Sequence, residues 1–180
     1  MKIKISILGS TGSIGCNTLD LLNKKRSSFK IKFLSANENF NTICRQIKKF
    51  KPEFYLINKY SIYKKVKKKF KNKNIKILNS FNEIDHRFKS DITVAAIPGL
   101  VGLFPTLKMV PLSKKILLAN KESVICGWNL INKISKKHNT KIIPVDSEHF
   151  SIFELIKNRN ISEIKKIYLT ASGGPFLNYP

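Results

Sequence analysis

Short strand-like and helix-like segments alternate along most of this chain, and that alternation restricts the possible folds more than any other feature. Runs rich in Ile, Phe and Leu, such as residues 2–8 and 53–57, are followed by segments whose apolar residues recur at helical spacing. Strand–helix–strand units with short connections indicate a parallel sheet covered by helices on both faces. We therefore predict an α/β fold built on a doubly wound parallel sheet.

The pattern predicts eight strands and six helices. The strands are expected at residues 2–8, 31–35, 53–57, 75–78, 92–96, 115–118, 141–145 and 166–170, and the helices at residues 14–23, 41–50, 61–71, 100–110, 123–137 and 150–157. Pro105 should place a kink or an early-turn boundary in the fourth helix. The pattern changes after Val145, so we predict one domain over residues 1–145 and the beginning of a second over residues 146–180.

The charge of the chain is strongly positive, with 34 Lys plus Arg against 11 Asp plus Glu and a net charge of +23. Such an excess is compatible with a nucleic-acid face or with a solvated basic surface. Only four of the basic residues are arginine, the side chain that base and phosphate recognition favours. In the densest run, residues 64–73, Val66 and Phe70 form one apolar stripe among lysines, as expected of an amphipathic helix. The composition therefore favours a solvated surface over a nucleic-acid partner.

The location expected for the chain is the cytoplasm. The longest uncharged stretch, residues 92–107, has 16 residues and contains two prolines, whereas a membrane-spanning helix needs about 20 apolar residues. The three cysteines form no CxxC or Cys/His pattern, which is typical of a reducing compartment.

A glycine-rich segment, GSTGSIG at residues 9–15, joins the first strand to the first helix. Glycines let the backbone approach a pyrophosphate, and the free N–H groups of a helix N-terminus stabilise its charge. The segment predicts a dinucleotide site in a Rossmann-like sheet; the alternative is an ordinary glycine-rich turn. At the end of the second strand, Glu38 alone argues for NAD, because an acid there contacts the ribose 2′-hydroxyl. Neighbouring amides and lysines leave NADP open as well. Glu38 could also be a solvated loop residue that contacts no coenzyme.

Two further polar clusters follow strand ends. Asn120, Lys121 and Glu122 come after a buried strand, where open parallel sheets bind ligands, although Asn120 could simply cap a helix. Asp146 and Glu148 follow the next strand and could bind Mg²⁺ or Mn²⁺, or Asp146 or Ser147 could cap a helix whose first turn contains Glu148. His149 is expected to be structural. Residues 170–174, TASGG, are either an oxyanion or phosphate cradle or a turn.

Four segments together, GSTGSIG at 9–15, LLANKES at 117–123, PVDSEH at 144–149 and LTASGGPF at 169–176, closely resemble the 1-deoxy-D-xylulose 5-phosphate reductoisomerase family in order and spacing. The resemblance implies an NADPH-dependent oxidoreductase of isoprenoid biosynthesis, with a divalent metal (Mg²⁺, Mn²⁺ or Co²⁺). Its substrate would be 1-deoxy-D-xylulose 5-phosphate, its product 2-C-methyl-D-erythritol 4-phosphate, and its assembly a homodimer.

The resemblance also implies roles for particular residues, and these are expectations. Coenzyme contacts are implied for Ser10, Thr11, Gly12, Ser13, Ile14, Asn37, Asn39, Asn120 and Glu122. Substrate contacts are implied for Lys121, Ser147, Glu148 and Ser172, metal ligation for Asp146 and Glu148, and catalytic roles for Lys121 and Glu148.

This sequence departs from the family in two respects. The family often has Gly followed by a basic residue where this chain has Asn37 and Glu38. Family chains are also more than twice as long, so residues 146–180 should be the truncated start of an α+β catalytic domain without its third metal carboxylate. We expect the 180-residue polypeptide alone to be inactive or nearly so, unless a separately encoded second half completes it. One alternative is another dinucleotide oxidoreductase. The other is an inactive remnant or a basic polyanion-binding module. Gly12→Val should weaken coenzyme binding but should not affect polyanion binding.

Overall fold

The computed structural model describes residues 2–168. Within that range the strands are β1 Ile3–Leu8, β2 Phe29–Ala36, β3 Phe54–Ile57, β4 Lys76–Leu78, β5 Ser90–Ala95, β6 Ser113–Leu118 and β7 Lys141–Pro144. The helices are α1 Ser13–Lys24, α2 Phe40–Phe50, α3 Tyr60–Lys69, α4 Leu103–Met109, α5 Lys121–His138 and α6 Ser147–Ile156. None of these helices is long and apolar enough to cross a membrane.

All seven strands are parallel and belong to one sheet, in the order β4-β3-β2-β1-β5-β6-β7. The chain first builds outward from β1 to β4 and then crosses to the other side of β1 with β5. The strand order therefore reverses between β1 and β5. In open parallel sheets, ligands bind beyond the carboxyl ends of the strands at this position, so the fold itself indicates where the site should lie.

Two separate layers of apolar side chains cover the two faces of the sheet. Along β3, Tyr55 and Ile57 join one layer and Leu56 joins the other, because successive side chains of a strand point to opposite faces. The first layer is completed by α1, α2 and α3, and the second by α4 and α5. The predicted doubly wound α/β fold is confirmed. The basic run in α3 is amphipathic as expected, with Val66 and Phe70 buried and its lysines exposed.

Most predicted bounds shift by one or two residues. Four differences bear on the kind of element or on the helix starts near the site. The helix predicted at 100–110 consists of a 3₁₀ turn, Leu100–Gly102, followed by α4, with Pro105 in the first turn of that helix. Helices α5 and α6 begin two and three residues earlier than predicted, because Asn120 and Asp146 cap them. The strand predicted at 166–170 is wrong for residues 166–168, which pair with no described strand. Residues 169 and 170 lie outside the described part of the chain.

Asp91, in β5, links the amino-terminal ends of β1, β5 and β6, and its ionisation should make the stability of the fold depend on pH. Its carboxylate accepts a hydrogen bond from the backbone N–H of Lys4 at 2.8 Å and pairs with Lys114 at 2.8 Å. The hydrogen bond from Lys114 and the one from Lys4 hold the pKa of Asp91 below its ordinary value. Because the pKa is lowered by folding, the stabilisation is present above the unfolded-state pKa and is lost as the pH falls through the folded-state pKa.

We expect Asp91→Asn to lower the free energy of unfolding by about 1 kcal/mol near neutral pH, since it weakens bonds to a charged group. The difference from the unmodified chain should shrink below about pH 4, the unfolded-state pKa of an aspartate. Urea unfolding at neutral and acidic pH measures both values. Asp20→Asn is the control, because Asp20 is exposed and lies 3.7 Å from its partner Lys49. An Asp91→Asn effect that does not change with pH would contradict the assignment.

Candidate functional site at the carboxyl edge of the sheet

At Gly9 and Gly15, the glycine-rich segment that joins β1 to α1 packs too closely against neighbouring backbone for a side chain to fit. Gly9 has a positive φ of 78°, and a Cβ there would lie 2.8 Å from the carbonyl oxygen of Ala96. A Cβ on Gly15 would collide with the carbonyl oxygen of Gly9 and lie 2.6 Å from Cα of Ser10. The first turn of α1 is thus pressed against the loop, and the loop against the end of β5.

The N-terminus of α1 offers unpaired backbone donors at this loop. The N–H of Gly12 bonds to the carbonyl oxygen of Gly9 at 3.1 Å, and Cys16 is the first residue to donate back into the helix. The N–H groups of Ser13, Ile14 and Gly15 lie between them, and within residues 2–168 they have no backbone acceptor. Such free N–H groups, together with the helix dipole, form an anion-binding site suited to a pyrophosphate.

A cleft of about 500 Å³ lies directly above this loop, at the switch point of the sheet. Its walls are the loop itself, the ends of β2 and β3, and the segment that follows β5. It is lined by Gly9, Thr11, Gly12, Ser35, Ala36, Asn37, Leu56, Asn58, Phe81, Ala96, Ile97, Pro98, Val101 and Pro105. The mixture of apolar walls and a few amide groups is typical of a nucleotide pocket.

A second, smaller cleft of about 230 Å³ adjoins the first. The two share Ala96, Ile97 and Pro98, which therefore form the ridge between them. The second cleft is lined by Ile14, Ala96, Ile97, Pro98, Ala119, Lys121, Glu122, Asp146 and Glu148. The fold thus brings together charged residues from the LLANKES and PVDSEH segments beside the first turn of α1.

Three carboxylates line the smaller cleft: Glu122 in the first turn of α5, and Asp146 and Glu148 at the beginning of α6. Asp146 caps the helix by accepting the N–H of His149 at 3.1 Å, and its Oδ1 lies 2.6 Å from Nδ1 of the same histidine. Burial alone would raise the pKa of Asp146, but these hydrogen bonds outweigh it and hold the pKa below the ordinary value. Glu148 follows in the first turn, where its carboxylate accepts the hydroxyl of Ser147 at 3.2 Å. Capping by Asp146, one of the alternatives from the sequence, is confirmed.

These oxygens suit a hard divalent cation, which often takes one or two protein carboxylates and fills its other positions with water and substrate. Within residues 2–168 no group of three or more His, Cys, Asp or Glu side chains is arranged to hold a metal ion. Of the three carboxylates that line the smaller cleft, Asp146 and Glu148 come from the start of one helix, α6, and Glu122 comes from the first turn of α5.

Asn120 has a different position from its two neighbours. Its side chain is buried, caps α5 by accepting the N–H of Ser123 at 2.9 Å, and donates to the carbonyl oxygens of Ile97 and Gly99. Asn120 therefore stabilises the ridge between the clefts without lining either of them, while Lys121 and Glu122 line the smaller cleft. Capping by Asn120 is confirmed, and its contact with a coenzyme stays a prediction.

A buried polar network supports the glycine loop from below, and sequence reasoning missed it. The hydroxyl of Ser10, which is fully buried, lies 2.8 Å from Oε1 of Gln46 and 3.0 Å from the Tyr55 hydroxyl. Gln46 also donates from Nε2 to the carbonyl oxygen of Ser10 at 2.7 Å and accepts from Tyr55 at 2.7 Å. Ser10 thus points into the core, and any coenzyme contact it makes stays a prediction. The available signal was Gln46 itself, a polar residue between Ile43 and Ile47 on the buried face of α2.

Three exposed polar residues, Asn37, Glu38 and Asn39, follow β2, and the first of them belongs to the lining of the larger cleft. Asn37 lines that cleft together with Asn58, whose amide lies 3.4 Å from the side-chain oxygen of Asn37. Asn39 caps α2 by accepting the N–H of Thr42. Glu38 is exposed and forms an ion pair with Lys59, with 2.6 Å between Oε2 and Nζ.

Comparison with known proteins agrees with this architecture. The family model for 1-deoxy-D-xylulose 5-phosphate reductoisomerase matches residues 5–127, and the one for the C-terminal domain of that enzyme matches residues 142–180. The chain belongs to the 1-deoxy-D-xylulose 5-phosphate reductoisomerase family. The reductoisomerase of Pelagibacter ubique is 44% identical over 179 residues, which are 97% of this chain and 46% of that protein.

Solved structures of reductoisomerases show the same backbone arrangement. The Zymomonas mobilis reductoisomerase in complex with NADPH superposes with a TM-score of 0.89 at 31% identity, covering 99% of this chain and 48% of that one. A reductoisomerase in complex with NADPH, fosmidomycin and magnesium gives a TM-score of 0.86 at 33% identity, covering 99% and 47%. The chain therefore spans about half the length of the reductoisomerases it matches. Ser172 and the TASGG segment lie outside the described residues.

Proposed function

We propose that this chain supplies the coenzyme site and part of the metal and substrate site of an NADPH-dependent 1-deoxy-D-xylulose 5-phosphate reductoisomerase. The observation that carries the proposal is the adjacency of the two clefts, one above a pyrophosphate-binding loop and one lined by Lys121, Asp146 and Glu148. The proposed product is 2-C-methyl-D-erythritol 4-phosphate. We further propose a cytoplasmic homodimer that acts on this small molecule and has no nucleic-acid partner.

The residues of the larger cleft fit a dinucleotide. The loop at Gly9 and Gly15 leaves no room for side chains, and the free N–H groups of Ser13 and Ile14 are suited to the pyrophosphate. The shared ridge would allow the nicotinamide end to reach the smaller cleft, close to Lys121 and Glu122. NADPH, when bound, supplies the hydride, and the protein orients it.

The residues of the smaller cleft fit a metal and a phosphorylated keto sugar. Asp146 and Glu148 would hold the cation, whose chemistry is to polarise the carbonyl group of the substrate. The carboxylate of Asp146 is ionised at neutral pH, as an aspartate normally is, and metal ligation requires that form. Lys121 would stabilise negative charge on the substrate oxygens, Glu148 would combine metal and substrate contacts, and Ser147 would bond to a substrate hydroxyl. We propose that residues 1–145 form the coenzyme domain and that residues 146–180 begin the metal- and substrate-binding domain.

The metal site can be tested with Asp146→Asn and Glu148→Gln. Each variant should weaken Mn²⁺ binding by at least about tenfold, as the loss of a metal-site carboxylate requires, while NADPH affinity stays within about twofold. Asparagine caps helices as well as aspartate does, so α6 should persist in Asp146→Asn. Mn²⁺ binding is measured by water-proton relaxation, and NADPH binding by its fluorescence.

Glu154→Gln provides the matched control, because Glu154 is a carboxylate on the same helix that pairs with Lys157 outside the cleft. It should leave both affinities unchanged. Equal Mn²⁺ affinity in Asp146→Asn and Glu154→Gln would place the metal elsewhere. Failure of the unmodified chain to bind NADPH would contradict the coenzyme part of the proposal.

A further inference from the structure

The identity of the coenzyme depends on what stands at the end of β2. In folds of this class, an acid at that position contacts the ribose 2′-hydroxyl of NAD, and a basic group contacts the 2′-phosphate of NADP. Glu38 stands there and Asn37 lines the cleft beside it. Taken alone, Glu38 favours NAD, although the proposed function, on which this inference rests, requires NADPH.

Lys59 reaches this position from the neighbouring strand. Beyond the formal ends of β2 and β3, the N–H of Asn58 bonds to Ala36 at 3.0 Å and the N–H of Lys59 bonds to Asn37 at 3.2 Å. The backbone of Lys59 is therefore held directly opposite the residue that precedes Glu38. From there Nζ of Lys59 lies 2.6 Å from the Glu38 carboxylate.

We propose that Lys59 is the specificity-determining residue of the coenzyme site and recognises the 2′-phosphate of NADPH. Glu38 is its counterion when no coenzyme is bound. The basic group that the family often has after β2 is then provided by a different strand end in this chain. Glu38, which taken alone favours NAD, is thus compensated by a lysine 21 positions further along the sequence.

When NADPH binds, Lys59 exchanges the Glu38 carboxylate for the 2′-phosphate, and this exchange costs little free energy. The side chains of Lys59 and Glu38 are 52% and 57% exposed, and exposed ion pairs contribute little to stability. A phosphate monoester carries nearly two negative charges and three acceptor oxygens, so it attracts a lysine more strongly than one carboxylate does. The side-chain amides of Asn37 and Asn58 line the larger cleft, are the sequence neighbours of Glu38 and Lys59, and can supply further donors.

The negative charge of Glu38 makes the selectivity between NADPH and NADH depend strongly on Lys59. A glutamate carboxylate is ionised at neutral pH even at its ordinary pKa, and the hydrogen bond from Lys59 lowers the pKa of Glu38 further. Without Lys59, that negative charge would repel the 2′-phosphate and accept a hydrogen bond from the 2′-hydroxyl of NADH. Removal of Lys59 should therefore change the ratio of the two affinities as well as their size.

The test compares dissociation constants for NADPH and NADH in the 180-residue chain, measured by coenzyme fluorescence. Lys59→Gln should weaken NADPH by at least about tenfold, as expected for the loss of a bond to a charged group, and should leave NADH within about twofold. Glu38→Gln should retain or strengthen the preference for NADPH. Competition by 2′,5′-ADP and by 5′-AMP should show the same contrast, because these probes differ only in the 2′-phosphate.

Lys68→Gln is the matched control, since Lys68 is an exposed lysine of α3 and its replacement removes the same charge. This control measures how much of a loss in NADPH affinity comes only from lowering the net charge of +23, since NADPH carries more negative charge than NADH. Equal losses in Lys59→Gln and Lys68→Gln, or equal weakening of NADPH and NADH by Lys59→Gln, would overturn the assignment of Lys59 while leaving the proposed function intact. Absence of binding of both coenzymes to the unmodified chain would overturn both.

Discussion

Gly15→Ala is expected to lower the affinity for NADPH by about a hundredfold, the equivalent of two lost bonds to a charged group. The added Cβ would collide with the carbonyl oxygen of Gly9 and lie 2.6 Å from Cα of Ser10. Both obstacles are backbone atoms, so α1 must move away from the loop and take the free N–H groups of its first turn out of position. The same displacement should lower the free energy of unfolding by about 3 kcal/mol, the upper end for overpacking. Coenzyme fluorescence and urea unfolding measure the two effects.

Gly12 offers a matched comparison within the same loop. A Cβ at Gly12 would meet only the carbonyl oxygen of Gly9, at an ordinary 3.5 Å. Gly12→Ala should therefore change stability by less than about 1 kcal/mol, the cost of a weaker helix cap. Gly12→Val, which extends a larger side chain from a residue of the cleft wall, should weaken coenzyme binding without unfolding the chain. If Gly15→Ala were as stable as Gly12→Ala, the close contact between α1 and the loop would be wrong.

Gln46→Leu is expected to lower the free energy of unfolding by about 3 kcal/mol, the cost of leaving buried polar groups unpaired. The substitution keeps the approximate shape of the side chain but deprives the carbonyl oxygen of Ser10 and the hydroxyl of Tyr55 of their bonds to Gln46. Burial raises the pKa of Tyr55 well above its ordinary value, so at neutral pH the phenol keeps its proton and donates a hydrogen bond. Urea unfolding at constant pH checks the expected loss.

Tyr55→Phe distinguishes the contribution of the hydrogen-bond network to stability from the contribution of packing. It removes one hydroxyl and leaves Gln46 bonded to Ser10 through two hydrogen bonds, so it should cost only about 1 kcal/mol. The double variant should then differ from the sum of the two single variants by at least about 0.5 kcal/mol, because the residues share one network. Additive effects would show that Gln46 and Tyr55 stabilise the loop independently. A Gln46→Leu change below about 0.5 kcal/mol, the size of an ordinary surface substitution, would contradict the network itself.

Most of the fold could be predicted from the sequence, because its signals are local. The apolar runs and the turn at Gly9 mark the strands of a parallel sheet, and the stripe of Val66 and Phe70 marks a helix in the most basic part of the chain. Helix starts were predicted less well. Lys121 and Glu148 lie inside first turns because the side chains of Asn120 and Asp146 cap the helices, and a polar cluster after a strand is equally compatible with a longer turn.

The sequence by itself determined the α/β class, the order of the elements and the segments that form the two clefts, because hydrophobic period, glycine turns and motif spacing are properties of neighbouring residues. The tertiary structure alone decided the direction of each side chain within those segments. It turned Ser10 and Asn120 into the interior, left Lys121 at the cleft, and placed Lys59 against Glu38. These contacts join different strand ends, and they depend on which strands are neighbours in the parallel sheet, which no local sequence pattern specifies.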